Sequence, residues 1–212
     1  MRLTATILVL CTLAGLLGCG GKIRYPSYYM LNIPAHVVPK QQPATIPGSV
    51  AVREFGAPQF LKAGPITYQE SPEEIGFYEY DRWAVDPRVA VTKAMIQAVE
   101  ADGLFRSVDL QDGRVSSEYL LTGMIEQLQE IDRGREVSVS VELSARLMDS
   151  KTGETIWRGS SRKEGRVDQR SVPGVVAEMS RQMGDAVDAL VSSMNDRIPA
   201  ALLSQNRADR KP

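Results

Sequence analysis

The sequence predicts an α+β fold, a two-layer sandwich in which a mainly antiparallel sheet carries two amphipathic helices packed on one face. Apolar and polar residues alternate strictly from Val137 to Leu147, which is typical of a half-buried antiparallel strand. Residues 87–102 and 171–197 repeat apolar side chains at helical spacing. Strands, a helix, a meander of long strands and a second helix follow in that order, so both helices can bury their apolar stripes on one sheet face.

The composition is that of an ordinary globular domain. Of 212 residues, 43% are hydrophobic and 24% are charged, which argues against wholesale disorder and a polytopic membrane protein. With a net charge of −1, the chain has no excess of positive charge that would attract nucleic acid. His36, Cys11 and Cys19 are the chain's whole stock of histidine and cysteine, too few for the usual zinc sites. We therefore expect no metal, no cofactor and no nucleic-acid partner.

The N-terminus has the pattern of a bacterial lipoprotein signal. Met1-Arg2 is followed by an uncharged stretch that ends at Leu16-Leu17-Gly18-Cys19. That stretch is shorter than the roughly 20 apolar residues of a spanning helix; the alternatives are an uncleaved anchor and a plain secretion signal. The pattern predicts a signal peptide over 1–18, with Cys19 as the mature N-terminus, carrying diacylglyceryl and N-acyl groups. Gly20, rather than Asp, follows the cysteine, which in enterobacterial-type sorting favours the outer membrane on its periplasmic side.

The first half of the mature chain is predicted as a Pro-rich tether and then strands. The tether covers 19–48 and contains a short strand at 28–31, with five prolines spread along it. Further strands are predicted over 49–55, 66–68 and 75–84. Asp86-Pro87 then begins the first helix as N-cap and first helical residue, and Gly103 ends it.

The second half is predicted as a meander followed by the second helix. Its strands are expected at 107–110, 118–131, 137–147 and 155–166, and Asp149 to Gly153 form the loop between the last two. The helix is expected from Ser171 to Arg197, ended by Pro199. The predicted domain therefore covers 49–198, and 199–212 forms a flexible tail.

Sequence motifs for catalysis are missing. The chain has no P-loop, no G-x-G-x-x-G after a strand, no H-E-x-x-H and no G-x-S-x-G, so we do not expect an enzyme. The stretch from Arg158 to Arg170 holds five basic residues interrupted by acidic ones. It is interpreted either as a solvated strand face or as an edge that faces anionic lipid or an acidic partner.

Several segments together resemble a known family. They are Tyr28-Tyr29-Met30-Leu31, Val50-Ala51-Val52, Pro58-Gln59-Phe60-Leu61, Ile66-Thr67-Tyr68, Tyr80-Asp81-Arg82-Trp83-Ala84, Gly103-Leu104-Phe105 and Tyr119-Leu120-Leu121-Thr122-Gly123. From about residue 28 to about 191 the chain is similar to the ABC-type transport auxiliary lipoproteins, the PqiC-like outer-membrane partners of MCE-type lipid transporters.

The resemblance implies a non-enzymatic docking subunit. Its partners would be a periplasmic MCE-domain protein with an inner-membrane permease and an ATPase, which move phospholipid or another apolar molecule across the envelope. Candidate docking residues are Tyr68, Tyr80, Arg82 and Trp83; a structural Arg82 and a core Trp83 are the alternative. The rival function is an outer-membrane assembly lipoprotein that plugs or chaperones a β-barrel, as in lipopolysaccharide assembly. A lipid-anchored hydrolase is disfavoured by the missing motifs.

Overall fold

The computed structural model describes residues 24–34, 46–62, 64–113 and 116–208. The predicted signal peptide, the predicted lipid-attachment residue Cys19 and the last four residues lie outside them. In chain order the elements are β1 (Ser27–Tyr29), β2 (Ile46–Val52), a 3-10 helix (Gln59–Leu61), β3 (Pro65–Ser71), β4 (Glu74–Trp83), α1 (Pro87–Asp102), β5 (Phe105–Leu110), β6 (Tyr119–Asp132), β7 (Val137–Asp149), β8 (Thr155–Arg166) and α2 (Val172–Ala208).

Strand β6 is the centre of a forked, mixed sheet. One side of β6 pairs antiparallel with β7 along its whole length, and β7 pairs antiparallel with β8. The other side of β6 is shared by two parallel neighbours, β2 near Leu121 and β3 near Glu130. Strand β5 extends the β2 branch, and β4 and then β1 extend the β3 branch. The predicted α+β sandwich is confirmed, with antiparallel pairing in the long meander and parallel pairing on most of the branches.

Helix α1 begins and ends at the predicted residues. The Asp86 carboxylate accepts a hydrogen bond from the Arg88 amide at 2.9 Å, and Pro87 is the first helical residue. Gly103 follows the helix with φ 75°, a left-handed conformation that glycine adopts without strain. Local sequence chemistry therefore fixes both ends of this helix.

Helix α2 corrects the prediction that Pro199 ends it. The helix begins after Ser171, whose hydroxyl accepts from the Gly174 amide at 3.3 Å, and it continues through Pro199 to Ala208. A proline inside a helix removes one backbone hydrogen bond. The sequence after it, Ala200-Ala201-Leu202-Leu203, is made of strong helix formers, which favours continuation. Residues 199–208 of the predicted flexible tail are thus helical.

Both helices pack on one face of the sheet, as expected. Helix α1 contacts β2 and β5, α2 contacts β7 and β8, and the two helices touch each other. The apolar stripe of α2 is fully buried; its members are Met179, Met183, Ala186, Val187, Leu190 and Met194. The core therefore lies between the helices and the sheet, and within the described residues no helix covers the opposite face of β6, β7 and β8.

The N-terminal segment 24–34 packs on the domain, although the sequence predicts a tether there. Strand β1 pairs in parallel with the end of β4, so that Tyr28 lies beside Arg82. The chain then crosses to α2, where the Asn32 amide donates to the Ser180 hydroxyl at 3.1 Å. The sheet thus begins with a strand that the predicted domain boundary at residue 49 leaves out.

Candidate functional site

The candidate site is the open face of the sheet, defined here as the face of β6–β8 that points away from the helices. Alternate residues of β7 point to the two sides: Val139, Val141 and Leu143 are fully buried toward the helices, whereas Glu142 and Ser144 point outward. This is the alternation that a strand with one buried face requires. The open face is therefore a regular surface that the packing of the core leaves uncovered.

Two arginines lie side by side on this face. Arg146 of β7 and Arg158 of β8 are direct neighbours in the strand register. The Arg146 Nε atom donates to the Thr122 hydroxyl at 3.1 Å, and neither guanidinium forms an ion pair within the described part of the chain. Like charges on directly opposite strand positions repel each other. This arginine pair is thus a concentrated positive charge available to an anionic group.

The arginine pair borders a concavity of about 470 Å³ on the open face. Thr122, Met124, Ser144 and the two arginines line it, with Glu126 at its side. Met124 is 38% exposed, and the Glu126 carboxylate accepts a hydrogen bond from Ser144 at 2.6 Å. The concavity therefore combines an apolar side chain, hydroxyl groups and two cations, which suits the side chains of an acidic protein surface.

The base of this concavity is a row of small residues. Gly123, Ala145 and Gly159 are register neighbours on β6, β7 and β8. On the core side, a Cβ at Gly123 would collide with the Phe55 ring, and a Cβ at Gly159 with the Trp157 ring. The glycines therefore let two large rings lie directly against the sheet. The neighbouring row of Thr122, Arg146 and Arg158 carries the arginine pair on the outer side.

A second concavity of about 340 Å³ lies further along the open face. Here Gln129 donates to Gln69 at 2.6 Å, which joins β6 to β3. Arg162 and Glu164, both more than half exposed, form an ion pair at 3.1 Å. Because its charges are balanced, this part of the face is less suited to an anion than the surroundings of Arg146 and Arg158.

A buried acidic contact joins the β3–β4 branch to β6. The Tyr78 hydroxyl donates to the Glu130 carboxylate at 2.7 Å, and the ring of Tyr68 packs edge-on against Tyr78 at 5.2 Å. Burial raises the pKa of the Glu130 carboxyl, while the hydrogen bond from Tyr78 lowers it in part. Burial also raises the pKa of the Tyr78 hydroxyl. The contact connects β4 to β6, and Tyr68 of β3 packs against it.

The predicted docking residues do not form one surface. Trp83 is only 6% exposed and belongs to the core, which is the structural alternative considered for it. Tyr80 is half-buried beneath the Arg24 guanidinium, and Arg82 is exposed beside β1. Docking through Tyr68, Tyr80 or Arg82 remains a prediction, and the predicted lipid site, Cys19, lies outside the described residues.

Sequence reasoning found only part of the open face. It singled out the basic stretch that starts at Arg158, but it passed over Thr122, Met124 and Arg146. Counted outward from the predicted loop of Asp149 to Gly153, Arg146 would lie opposite Ile156. A register shift between Leu147 and Met148 places it opposite Arg158 instead, and no turn residue indicates that shift. The pairing with β6, which brings Thr122 and Met124 into the concavity, depends on a register that no local motif fixes.

The open face presents groups that can bind a partner. No group of three or more histidine, cysteine or acidic side chains in them is placed to hold a metal ion. No helix in the same residues has the length and apolar character needed to span a bilayer. What the open face presents is a fixed array of cations and hydroxyl groups on strands.

Comparison with known proteins gives a family and a fold. A family model described as ABC-type transport auxiliary lipoprotein component matches residues 29–191. The chain is similar to a crystal structure of a protein from Xanthomonas campestris, with a TM-score of 0.71 and 17% identity over 84% of this chain and 99% of that one. It is also similar to a crystal structure of an uncharacterized protein, with a TM-score of 0.64 and 13% identity over 81% and 99% of the two chains. No curated protein matches the sequence.

Proposed function

From the premise that this chain belongs to the ABC-type transport auxiliary lipoprotein family, we propose that it is the docking subunit of an MCE-type transport system. In this role it is anchored by lipid at Cys19 in the outer membrane and faces the periplasm. It binds the periplasmic MCE-domain protein, while the permease and the ATPase of the inner membrane supply transport and energy. The cargo is phospholipid or another apolar molecule, and this chain performs no catalysis.

The observation that supports docking is the arginine pair on the open face. Strand β8 ends the sheet, and its outward residues Arg158, Ser160 and Arg162 are all exposed. Rigid strands hold these side chains, so little conformational entropy is lost when a partner binds them. Arginine also forms two parallel hydrogen bonds with a carboxylate. An acidic surface of the MCE-domain protein is therefore the partner that we assign to this face.

Charge reversal tests the proposal. In the lipidated protein purified from envelope membranes, the double variant Arg146→Glu/Arg158→Glu should weaken binding of the co-purifying MCE-domain protein by about a hundredfold or more, because two charge-assisted contacts at roughly 1.5–3 kcal/mol each are removed. The matched control is Arg197→Glu, the same change at an exposed position on α2, which should leave co-purification unchanged.

A crosslinker separates this function from its rival. A photoreactive residue in place of the exposed Ser160, which lies between Arg158 and Arg162 on β8, should capture the MCE-domain protein. Capture of an outer-membrane β-barrel alone would favour the assembly function and reject the docking role proposed here. Equal co-purification by the double variant and by wild type would remove the open face as the docking surface.

A further inference from the structure

The large apolar side chains with the highest exposed fractions lie together at the N-terminal end of the described chain. Tyr25 is 77% exposed, and Tyr28 and Met30 are each 63% exposed. These values are the highest for any large hydrophobic side chain in the described residues. Three neighbouring large side chains that face solvent in this way mark an interaction surface rather than scattered surface apolarity.

Packing on the domain fixes the direction of these side chains. From Tyr28 to Pro34 the residues alternate, with Tyr29, Leu31 and Ile33 packed against the core and their neighbours facing outward. The Tyr29 hydroxyl donates to Asp81 at 3.1 Å, and the backbone is held by β4 and by Ser180. Tyr28 and Met30 are thus presented by an ordered segment.

Basic side chains surround the same place. The Arg24 guanidinium lies 4.7 Å from the centre of the Tyr80 ring, and the exposed Arg82 is the register neighbour of Tyr28. Glu79 is also near and accepts a hydrogen bond from Tyr80. Tyrosine and arginine side chains together are typical of the bilayer interface, where aromatic rings sit at headgroup level and guanidinium groups meet phosphates.

The chain length before this segment limits where it can lie. Only four residues separate Cys19 from Arg24, so a fully extended chain places Arg24 within about 18 Å of the lipidated sulfur. The headgroup layer is about 5–8 Å thick on each side of the bilayer. With Cys19 lipidated, Tyr25 and Tyr28 are therefore kept next to the membrane surface.

We propose that Tyr25, Tyr28, Met30, Arg24 and Arg82 form a membrane-contact surface that holds the domain edge-on against the bilayer. The ligand is the phospholipid headgroup layer, with phosphates at the arginines and the upper acyl region at the apolar side chains. This inference rests on the proposed lipidation of Cys19. It adds an orientation: β1 and β4 touch the membrane, and β8, at the other edge of the sheet, points away from it.

Depth-dependent quenching tests the surface. The predicted mature chain has one cysteine, Cys19, and lipidation converts its thiol to a thioether, so one introduced cysteine can be labelled cleanly. Lipidated Tyr28→Cys and, as control, Ser160→Cys are labelled with an environment-sensitive fluorophore. Both are placed in phosphatidylethanolamine–phosphatidylglycerol vesicles that contain spin-labelled lipid. Along the path from β1 to β8 the two sites are five strand spacings apart, about 24 Å. We expect at least threefold stronger quenching at residue 28.

Three further results decide between the surface and the anchor. Replacing Tyr25 and Met30 by serine should reduce the quenching at residue 28 toward that at residue 160, while the protein still floats with the vesicles. Equal, weak quenching at residues 28 and 160 in protein that floats would overturn the membrane-contact surface and leave the anchor intact. Protein that does not float would overturn the lipidation of Cys19 and the surface with it.

Discussion

Glu130 is a residue whose protonation is affected by folding into this sheet. It is 4% exposed, and its carboxylate accepts the hydroxyl of Tyr78. Burial raises the pKa of the carboxyl above its ordinary value, and the nearby Asp132 adds to the rise. At a pH between the unfolded and folded pKa values, the folded protein therefore binds a proton that the unfolded chain has released.

This difference sets the sign of a pH dependence. As pH rises from about 4.5 through the raised pKa, the contribution of Glu130 to the free energy of unfolding falls, by at most about 1.4 kcal/mol per pH unit for one proton. We predict that Glu130→Gln, which keeps an acceptor for Tyr78, gains stability relative to wild type across that range. Urea denaturation between pH 4 and 8 measures it. Glu126→Gln, at an exposed site on the same strand, is the control for the substitution itself, and a flat difference for Glu130→Gln would contradict the prediction.

Residue roles were predictable from the sequence where a local rule fixes them. The Asp86 cap and the Gly103 stop follow from local chemistry, and the strand alternation placed Ser144 and Arg146 on the outer face. The role of Trp83 could not be decided, because burial in the core depends on how β1 and β3 flank β4. The same holds for Glu130, whose burial depends on the distant Tyr78.

Strand β8 shows how one element supports both faces of the sheet. Gly159 lies under the Trp157 ring, whose indole nitrogen is 3.4 Å from the Ser193 hydroxyl of α2. A larger side chain at residue 159 must displace that ring. Trp157 is 4% exposed, and close-packed interiors leave little space for such a shift.

We predict that Gly159→Val lowers the free energy of unfolding by about 1–3 kcal/mol, the usual cost of overpacking a core. Ser160→Val is the matched control, because residue 160 is exposed on the open face and surface changes usually stay within about 0.5 kcal/mol. Tryptophan fluorescence during denaturation measures both. Equal stability of the two variants would mean that Trp157 does not depend on the glycine beneath it.

The elements were more predictable than their arrangement. Helix α1 and the β7–β8 hairpin follow from caps, periodicity and turn residues. The predicted end of α2 was wrong because Pro199 was given more weight than the helix-forming residues after it. The fork of the sheet at β6 was not predictable, since parallel pairing of β2 and β3 with β6 joins residues about 60 to 70 positions apart without a turn to set the register.

At the scale of the whole molecule, segment 24–34 changes the meaning of the predicted tether. A free tether over 19–48 would let the domain stand well away from the proposed lipid anchor at Cys19. With 24–34 packed on β4 and α2, only residues 20–23 connect the proposed anchor to the domain. The chain after residue 34 then connects two parts of the same domain. Its length therefore does not control the distance between the domain and the membrane.

Two insertions distinguish these arrangements. Ten glycine and serine residues between Gly21 and Lys22 add a mean span of about 18 Å between lipid and domain, so we expect the quenching of a label at Tyr28→Cys by spin-labelled lipid to fall severalfold. The same insertion between Lys40 and Gln41 lies on the far side of the packed segment and should leave that quenching unchanged. Equal losses with both insertions would show that residues 24–34 do not stay packed on the domain. Unchanged quenching with the first insertion would show that the short connection is not what restrains the domain at the bilayer.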